Sequence, residues 1–334
     1  MKLNTVFAIL WSLMGSSLTF AALSAPQDET LPRKVTVTGI AGVISGGTEW
    51  QQAWQGTDNA DGLLGLPDGS LLFAQEQTST IRKLDARDFD SAYVRDTHGG
   101  GSVSMDSQGR LIAAQRTCTD PGRGDLPCTE PGMISIIYPE SQRKVLADSH
   151  QGEGLGRPND LVAAGNGAVY FSSGAPYQIK PGGEVINLGE DIRSNGIMLS
   201  PDERTLYVTN REVIVAFDIG PDGAVGDRRN FVSLPSGNGD GMVVDSTGRL
   251  YVATQATGIH VFSPEGQHLG TIPTPRNVAS LAFSGPGKRT LYATGRGGLA
   301  PNGMELLLAD GYRNNTKTIY KIQMLATGYM GRAK

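Results

Sequence analysis

Short apolar segments separated by turns recur along the chain, and they predict β-strands. Each repeat has four or five mostly apolar residues, a turn, and then a run of the type Leu-Tyr-Val. Alternating or short apolar runs bounded by turn residues are typical of strands. Six turns mark the repeat, at Gly69, Gly109, Gly167, Glu203, Gly248 and Gly287.

The spacings between these turns indicate the architecture. They are 40, 58, 36, 45 and 39 residues, close to the roughly 40 to 45 residues of a four-stranded propeller blade. The glycine-broken, alternating pattern excludes helical solenoids of similar period. We therefore predict an all-β fold, a six-bladed β-propeller with four-stranded antiparallel blades, as a single domain over residues 31–330.

Two segments depart from this rhythm and are expected to form insertions on the rim of the ring. One lies near 116–130 and explains the longest spacing, and the other spans 295–317. A further alternating stretch, Lys34 to Ile44, is a candidate for the outer strand of the last blade, where it would close the ring.

Composition supports an all-β protein and excludes one class of partner. The chain has 45 glycines among 334 residues, and frequent Asp-Gly and Gly-Arg turns, as expected for many short strands. Its net charge is -4 with 19% charged residues. No basic field is available to hold nucleic acid, so a nucleic-acid partner is not expected.

The first 24 residues are predicted to be a signal peptide. Lys2 supplies the positive end, Val6 to Ala22 is mostly apolar, and Ala22-Leu23-Ser24 offers small residues for cleavage. A membrane anchor is the alternative, but the apolar run is shorter than the roughly 20 residues that span a bilayer. We expect a secreted or periplasmic protein with no membrane span after cleavage.

Two cysteines lie in a turn-rich segment, and export makes a disulfide between them the expected state. Cys118 and Cys128 flank Thr-Asp-Pro-Gly-Arg-Gly-Asp-Leu-Pro, which cannot form regular structure unaided. A disulfide would close this loop in an oxidising compartment. Two free thiols are the alternative, and a metal site is not expected because the segment has no histidine.

Counting eight residues back from each turn gives one equivalent position per repeat, and we call these six the ring positions. In a propeller, equivalent positions at the start of the innermost strands surround one end of the channel. Four of them carry side-chain oxygens, so these oxygens are expected to converge. The ring positions are Asp61, Gly101, Asn159, Asn195, Asp240 and Ala279.

Two carboxylates and two amides at one channel mouth predict a divalent-metal site. Oxygen-only ligands favour Ca²⁺, with Mg²⁺, Mn²⁺ and Zn²⁺ as alternatives. Ca²⁺ takes about six to eight oxygens, so water or substrate would complete its coordination. The other interpretation is that each Asp or Asn makes only local turn hydrogen bonds. The small residues Gly101 and Ala279 would leave room for a substrate.

Three motifs occur in order along the repeat: Arg157-Pro-Asn-Asp, Ser194-Asn-Gly-Ile with Leu199-Ser-Pro-Asp, and Gly239-Asp-Gly-Met with Val244-Asp. They resemble the motifs of the senescence marker protein/gluconolactonase/luciferin-regenerating-enzyme-like family. The resemblance covers most of residues 61–292. It implies a six-bladed propeller that binds a divalent ion, commonly calcium, and hydrolyses the ring of a small-molecule lactone.

The resemblance also implies roles for individual residues. Asn195 and Asp240 would be metal ligands, and Asn159 would be a ligand or a substrate contact. Arg157 would bind substrate, holding a polar or acidic substituent with its fixed fork of donors. Asp240 would orient or deprotonate the attacking water while the ion polarises the lactone carbonyl.

One ring position departs from the family pattern. The family usually has Glu in a Glu-Gly-Pro context where this chain has Asp61-Gly-Leu. Aspartate keeps the charge but is one methylene shorter, so a shifted metal, an intervening water or weaker binding is expected. Asp58 and Glu49 are alternative ligands nearby.

His98 is a further candidate for the site. It precedes Gly99-Gly100-Gly101 and would approach the same rim as a substrate contact or proton shuttle, the alternative being an exposed loop histidine. Two other functions stay open because fold does not fix function. One is a non-catalytic propeller that binds a ligand or protein around a structural metal, and the other is a strictosidine-synthase-like enzyme of different chemistry.

Overall fold

The computed structural model describes residues 31–116, 131–256, 258–307, 316–332 and 334. The expected signal peptide, residues 1–24, lies outside the described residues. So do Cys118 and Cys128, whose pairing stays a prediction. Within the described part of the chain, no helix has the length and apolar character needed to cross a bilayer.

Six four-stranded antiparallel sheets form the described fold, which confirms the six-bladed propeller. In each of the first five blades, four consecutive strands run from the channel outwards. The first blade comprises Asp61–Gly65, Leu71–Gln75, Thr80–Leu84 and Asp90–Val94. The second comprises Gly100–Met105, Leu111–Gln115, Met133–Tyr138 and Lys144–Ala147. The third comprises Leu161–Ala163, Val169–Ser173, Ala175–Ile179 and Val185–Asn187.

The remaining blades continue the same order. The fourth comprises Ile197–Leu199, Thr205–Asn210, Val213–Ile219 and Val225–Ser233. The fifth comprises Gly239–Val244, Leu250–Thr254, Gly258–Phe262 and His268–Pro273. The sixth comprises Val278–Ser284, Thr290–Arg296, Thr316–Gln323 and, on its outer edge, Gln51–Gln55. Outside the blades lie the short hairpin Ser149–His150 with Glu153–Gly154, and the 3₁₀ turns Glu140–Gln142 and Pro286–Lys288.

The ring is closed by a different segment from the one expected. Gln51–Gln55 pairs antiparallel with Thr316–Gln323 and completes the sixth blade. The expectation that Lys34 to Ile44 would do so is wrong. In the described structure, the bridge within that stretch joins Ile40 to Ile44, and its apolar side chains pack into the core beside the fifth and sixth blades. The alternation therefore reflects burial rather than pairing in a sheet.

Apolar side chains between neighbouring blades form the core. Separate clusters link the first blade to the second and the second to the third, and a larger one spans the third to the fifth. Fully buried aromatic side chains fill these layers, and each contributes roughly 2 to 3 kcal/mol. They include Phe73, Tyr170, Phe171, Tyr251 and Phe283. The inner strands contact one another around a closed ring.

The inner strands share an irregularity at the ring positions. In four blades the pairing between the first and second strands shifts register there. In the first blade, for example, the shift lies between Asp61 and Leu64. A bulge bends its strand and re-aims a side chain. The repeated shift therefore marks the place where the inner strands turn their side chains towards the channel.

A glycine directly after a ring position lets the next blade approach closely. A Cβ on Gly62 would lie 2.7 Å from the carbonyl oxygen of Gly101. A Cβ on Gly196 would lie 2.0 Å from that of Asp240, and one on Gly241 would lie 2.7 Å from that of Ala279. Each contact joins one blade to the ring position of its neighbour, so these glycines set the width of the channel mouth.

We expect Gly196→Ala to lower the free energy of unfolding by about 3 kcal/mol, because the added methyl group meets rigid backbone at Asp240. Gly182→Ala is the matched control, since a Cβ there meets nothing within 4 Å. Denaturant unfolding of both variants and the parent measures the difference. Equal stability of the two variants would show that the inner strands have room to separate.

Candidate functional site

One cavity at the channel mouth is lined by all six ring positions. Among these six positions, polar side chains come from four, Asp61, Asn159, Asn195 and Asp240, and none comes from Gly101 or Ala279. The space within the cavity is about 20 Å³, and one water needs roughly 10 to 15 Å³. The equivalence deduced from the repeat thus corresponds to a shared location, with room for a single water or a small ion.

Hydrogen bonds orient the polar ring side chains. Asn159 Nδ2 donates to Asn195 Oδ1 at 2.7 Å, joining the third and fourth blades. Asp240 Oδ2 accepts a longer bond of 3.4 Å from Gln255 Nε2. Asn195 is also held through its backbone N–H, which donates to Thr209 Oγ1. The amides of the site are therefore fixed, while Asp240 has a weak partner.

The two ring carboxylates are destabilised in their charged forms. Burial, followed by repulsion from the Asp61 carboxylate, raises the pKa of Asp240 to about 7. Burial also raises the pKa of Asp61, against the opposing effect of the Arg116 guanidinium. Two carboxylates that share a buried cavity disfavour simultaneous ionisation. A bound cation would relieve both penalties.

A buried ion-pair cluster lies beside the ring. Arg116, with 3% of its side chain exposed, donates from Nη1 to Glu76 Oε2 at 2.8 Å. Arg157 Nη2 donates to the other oxygen of the same carboxylate at 2.5 Å. Glu76 is fully buried, whereas 42% of the Arg157 side chain is exposed. Glu76 therefore joins Arg116, which lines the cavity, to Arg157, which is partly exposed and does not line it.

Arg116 also contacts two ring positions directly. Its Nη2 donates to the Asn159 side-chain oxygen and, at 3.1 Å, to the Asn159 carbonyl. Its Nη1 lies 3.7 Å from Asp61 Oδ2. The guanidinium thus partly neutralises Asp61 and occupies the oxygen of Asn159. Asn195 Oδ1 in turn accepts from Asn159 Nδ2, so of the four polar ring residues the two aspartates keep the more available oxygens.

Glu76 and Arg116 were missed by the sequence reasoning, although the repeat contains a signal for them. Each stands seven residues after its turn glycine, as does Gln255 after Gly248. Arg116 and Gln255 directly follow the second strands of their blades. The N–H of each donates to the carbonyl two residues before the ring position of the same blade. Counting forward as well as backward from the turns would have found this second set of positions.

Asp160 ties three blades together directly beneath the site. Its Oδ1 accepts from Ser102 Oγ of the second blade at 2.8 Å. Its Oδ2 accepts from the backbone N–H of Ile197 in the fourth blade at 3.1 Å. The same carboxylate receives Lys334 Nζ at 2.6 Å. Both Asp160 and Lys334 line the cavity.

The other predicted residues lie away from the cavity lining. His98 is exposed, in the loop before the inner strand of the second blade, and does not line the described cavity. Neither do the alternative ligands Asp58 and Glu49. The structure brings Arg157 to the edge of the site through Glu76. The functional roles assigned to these residues and to the ring positions stay predictions.

The ring residues have the chemistry of a site for a hard divalent ion. Carboxylate and amide oxygens are the ligands that Ca²⁺ and Mg²⁺ prefer, and Asp61 and Asp240 carry charge that burial disfavours. Among the described residues, no group of three or more His, Cys, Asp or Glu has the arrangement of a metal site. An ion at the channel mouth would therefore depend on asparagine oxygens as well.

Glu76→Gln should destabilise the protein by about 3 kcal/mol, because Arg116 would be left buried without its main counter-charge. Adding Arg116→Met should recover part of this loss, since both charges are then absent. Asp85→Asn, which removes an exposed pair with Arg87, is the control and should change stability far less than Glu76→Gln. If the double variant instead lost as much stability as the two single variants together, the Glu76–Arg116 ion pair would not account for the effect.

Asp240→Asn should stabilise the metal-free protein at high pH. The unfolded aspartate ionises near 3.8 and the folded one near 7, so wild-type stability falls as the pH rises through this window. The variant lacks this titrating carboxyl group. Its free energy of unfolding should therefore exceed that of the wild type by nothing near pH 4 and by on the order of 2 kcal/mol near pH 8. Urea unfolding in chelator at both pH values measures it. A gain independent of pH would exclude titration of Asp240 as its cause.

Comparisons with known proteins agree with these features. A family model described as the SMP-30/gluconolactonase/LRE-like region matches residues 60–296. A gluconolactonase of Zymomonas mobilis is 32% identical over 189 residues, covering 45% of this chain and 51% of that protein. A pentonolactonase of Haloferax volcanii is 31% identical over 157 residues, covering 42% of this chain and 54% of that protein. The chain thus spans about half the length of these curated relatives.

Solved structures share the fold at low sequence identity. A gluconolactonase from Xanthomonas campestris superposes with a TM-score of 0.69 at 22% identity, covering 88% of this chain and 97% of that chain. A calcium-binding regucalcin from Agrobacterium tumefaciens gives 0.62 at 16% identity, with the same coverage. The family model spans more than half of the sequence, so the resemblance carried by the three motifs is confirmed: the chain belongs to the SMP-30/gluconolactonase/LRE-like family.

Proposed function

We propose that this protein hydrolyses a lactone, a sugar lactone or similar small cyclic ester, at the channel mouth. The observation that carries the proposal is the convergence of Asp61, Asn159, Asn195 and Asp240 on one cavity. Membership of the family supports it, as do relatives named gluconolactonase and pentonolactonase. The cavity combines a carboxylate with only a weak partner, fixed amides and a nearby arginine, which are groups that ester hydrolysis can use.

The reaction is proposed to depend on a divalent ion, for which Ca²⁺ is the preferred candidate. Asp61, Asn195 and Asp240 would hold it, with Asn159 as a fourth ligand or a substrate contact. Support comes from their oxygen-only chemistry and from the raised pKa values of the two carboxylates. When bound, the ion would polarise the lactone carbonyl and stabilise the negative charge that develops on its oxygen.

Asp240 is the proposed general base. Its weak partner, Gln255, leaves the carboxylate available. Without an ion its pKa is about 7, and a bound cation would lower that pKa and make Asp240 a weaker base. Asp240 takes a proton from water as the water oxygen bonds to the carbonyl carbon. The ring C–O bond then breaks, the leaving oxygen takes up a proton, and the product is a hydroxy acid.

Arg157 is the proposed substrate-binding residue. One end of its guanidinium is anchored at 2.5 Å on buried Glu76, which also holds the cavity-lining Arg116. The partly exposed remainder can donate to a hydroxyl or an acidic substituent on the lactone. Because Glu76 also holds Arg116, one carboxylate orients both arginines. Arg157 would face the substrate, and Arg116 faces the proposed metal ligands Asp61 and Asn159.

A panel of sugar lactones and other small lactones, followed by acid release, tests the proposal. We expect turnover of at least one member, loss of turnover in chelator, and recovery on adding Ca²⁺ or another divalent ion. Asp240→Asn should reduce kcat/KM by roughly a thousandfold, because it removes the base and a metal ligand.

Asp191→Asn is the matched control, since Asp191 is an exposed carboxylate paired with Arg228, and it should retain full activity. A flat response of the wild-type protein across the panel would instead favour a ligand-binding propeller. Full turnover in chelator would remove the metal from the mechanism while leaving lactone hydrolysis in place.

A further inference from the structure

We propose that Lys334 is a positioning residue, an internal counter-charge that sets how strongly the channel-mouth site binds a cation. It rests on the proposed function only in taking that site as one for a divalent ion. Nothing in the repeat or in the three family motifs includes this lysine. Its role follows from the path of one segment through the channel and from the contacts of its ammonium group.

Residues 328–332 and Lys334 run along the channel towards the site. Gly328 bridges Asp245, and the Tyr329 N–H donates to the Val244 carbonyl. Both partners lie at the end of the fifth inner strand, far along that strand from Asp240. Further on, Arg332 Nη2 donates to the Leu199 carbonyl at 2.7 Å.

Lys334 donates to the Ile197 carbonyl at 3.1 Å. Ile197 and Leu199 are the first and last residues of the fourth inner strand, and that strand begins two residues after Asn195. The segment therefore enters at the end of the channel opposite the site and runs antiparallel to the inner strand.

Buried contacts hold this segment in place. Lys288 Nζ donates to the carbonyls of Tyr329 and Arg332, each at 2.9 Å. Arg332 Nη1 lies 3.1 Å from Glu203 Oε1. Lys288, Arg332 and Lys334 are all buried. Three buried cations need partners, and those of Lys288 and Arg332 lie away from the ring positions.

Lys334 differs from the other two because its ion pair belongs to the site itself. Its Nζ lies 2.6 Å from Asp160 Oδ1, and it lines the same cavity as Asp61 and Asp240. Asp160 directly follows Asn159 and is fixed by Ser102 and Ile197. A positive charge at Lys334 thus opposes a cation at the channel mouth, and the negative charge of Asp160 supports it.

Removing either partner of this pair should change cation affinity in opposite directions. Lys334→Met leaves the Asp160 carboxylate uncompensated, and Ca²⁺ should bind on the order of tenfold more tightly. Asp160→Asn leaves the lysine uncompensated, and Ca²⁺ should bind more weakly by a similar factor. Lys334→Arg keeps the charge and should stay near wild type. The double variant should lie between the single ones.

Calorimetric titration of the full chain with CaCl₂ at low ionic strength measures these affinities without any substrate. Arg332→Met is the control for damage to the segment, because its partner Glu203 does not line the cavity. It should lower thermal stability and leave the Ca²⁺ affinity unchanged. If this control does not fold, the comparison of Lys334→Met with Lys334→Arg carries the test alone.

If Lys334 were purely structural, Lys334→Met and Asp160→Asn would change the Ca²⁺ affinity in the same direction. Weaker or unchanged Ca²⁺ binding in Lys334→Met therefore overturns the proposal. If the wild type binds no Ca²⁺, binding gained by Lys334→Met supports the proposal, and none in the variant refutes it. Lactone turnover by the wild type in chelator is measured separately, so loss of the proposed metal dependence is told apart from failure of the counter-charge role.

Discussion

The partly or fully buried carboxylates at the channel mouth need positive partners, and much of the site's architecture follows from this requirement. Asp61, Asp160, Asp240 and Glu76 lie at or beside one cavity. Isolated charges in a protein interior are strongly unfavourable unless they are paired. Each of the resident cations reaches the carboxylates from a different part of the chain. They are Arg116, Arg157 and Lys334.

Asp240 stands apart because no arginine or lysine within the described chain forms an ion pair with it. Gln255 at 3.4 Å is a neutral and distant partner, and the pKa of about 7 records the resulting penalty. Asp61 has Arg116 at 3.7 Å, which is longer than a direct hydrogen bond. The incomplete compensation of these two residues is the physical basis for a cation, or a proton, at the channel mouth.

The sequence predicted the parts of the fold and site that are repeated, because repetition assigns equivalent places in space. It predicted the six blades and placed Asn159 beside Asn195, which the structure joins at 2.7 Å. It was wrong about Lys34 to Ile44, since burial and strand pairing both produce alternation. It did not find Lys334, whose contact with Asp160 joins residues 174 positions apart and depends on how one segment runs through the channel.

The short side chain of Asp61 and the Arg116 guanidinium beside it both affect how the Asp61 carboxylate can meet a cation. Aspartate reaches less far into the channel than the glutamate usual in the family, and Arg116 stands between Asp61 and Asn159. A guanidinium there partly satisfies the carboxylate that a metal would otherwise satisfy alone. Because the same Nη1 of Arg116 that faces Asp61 also donates to Glu76, this cation cannot withdraw without breaking a buried ion pair. The balance of resident charges at the channel mouth, rather than the number of oxygen ligands, would therefore limit how strongly the proposed site attracts a divalent ion.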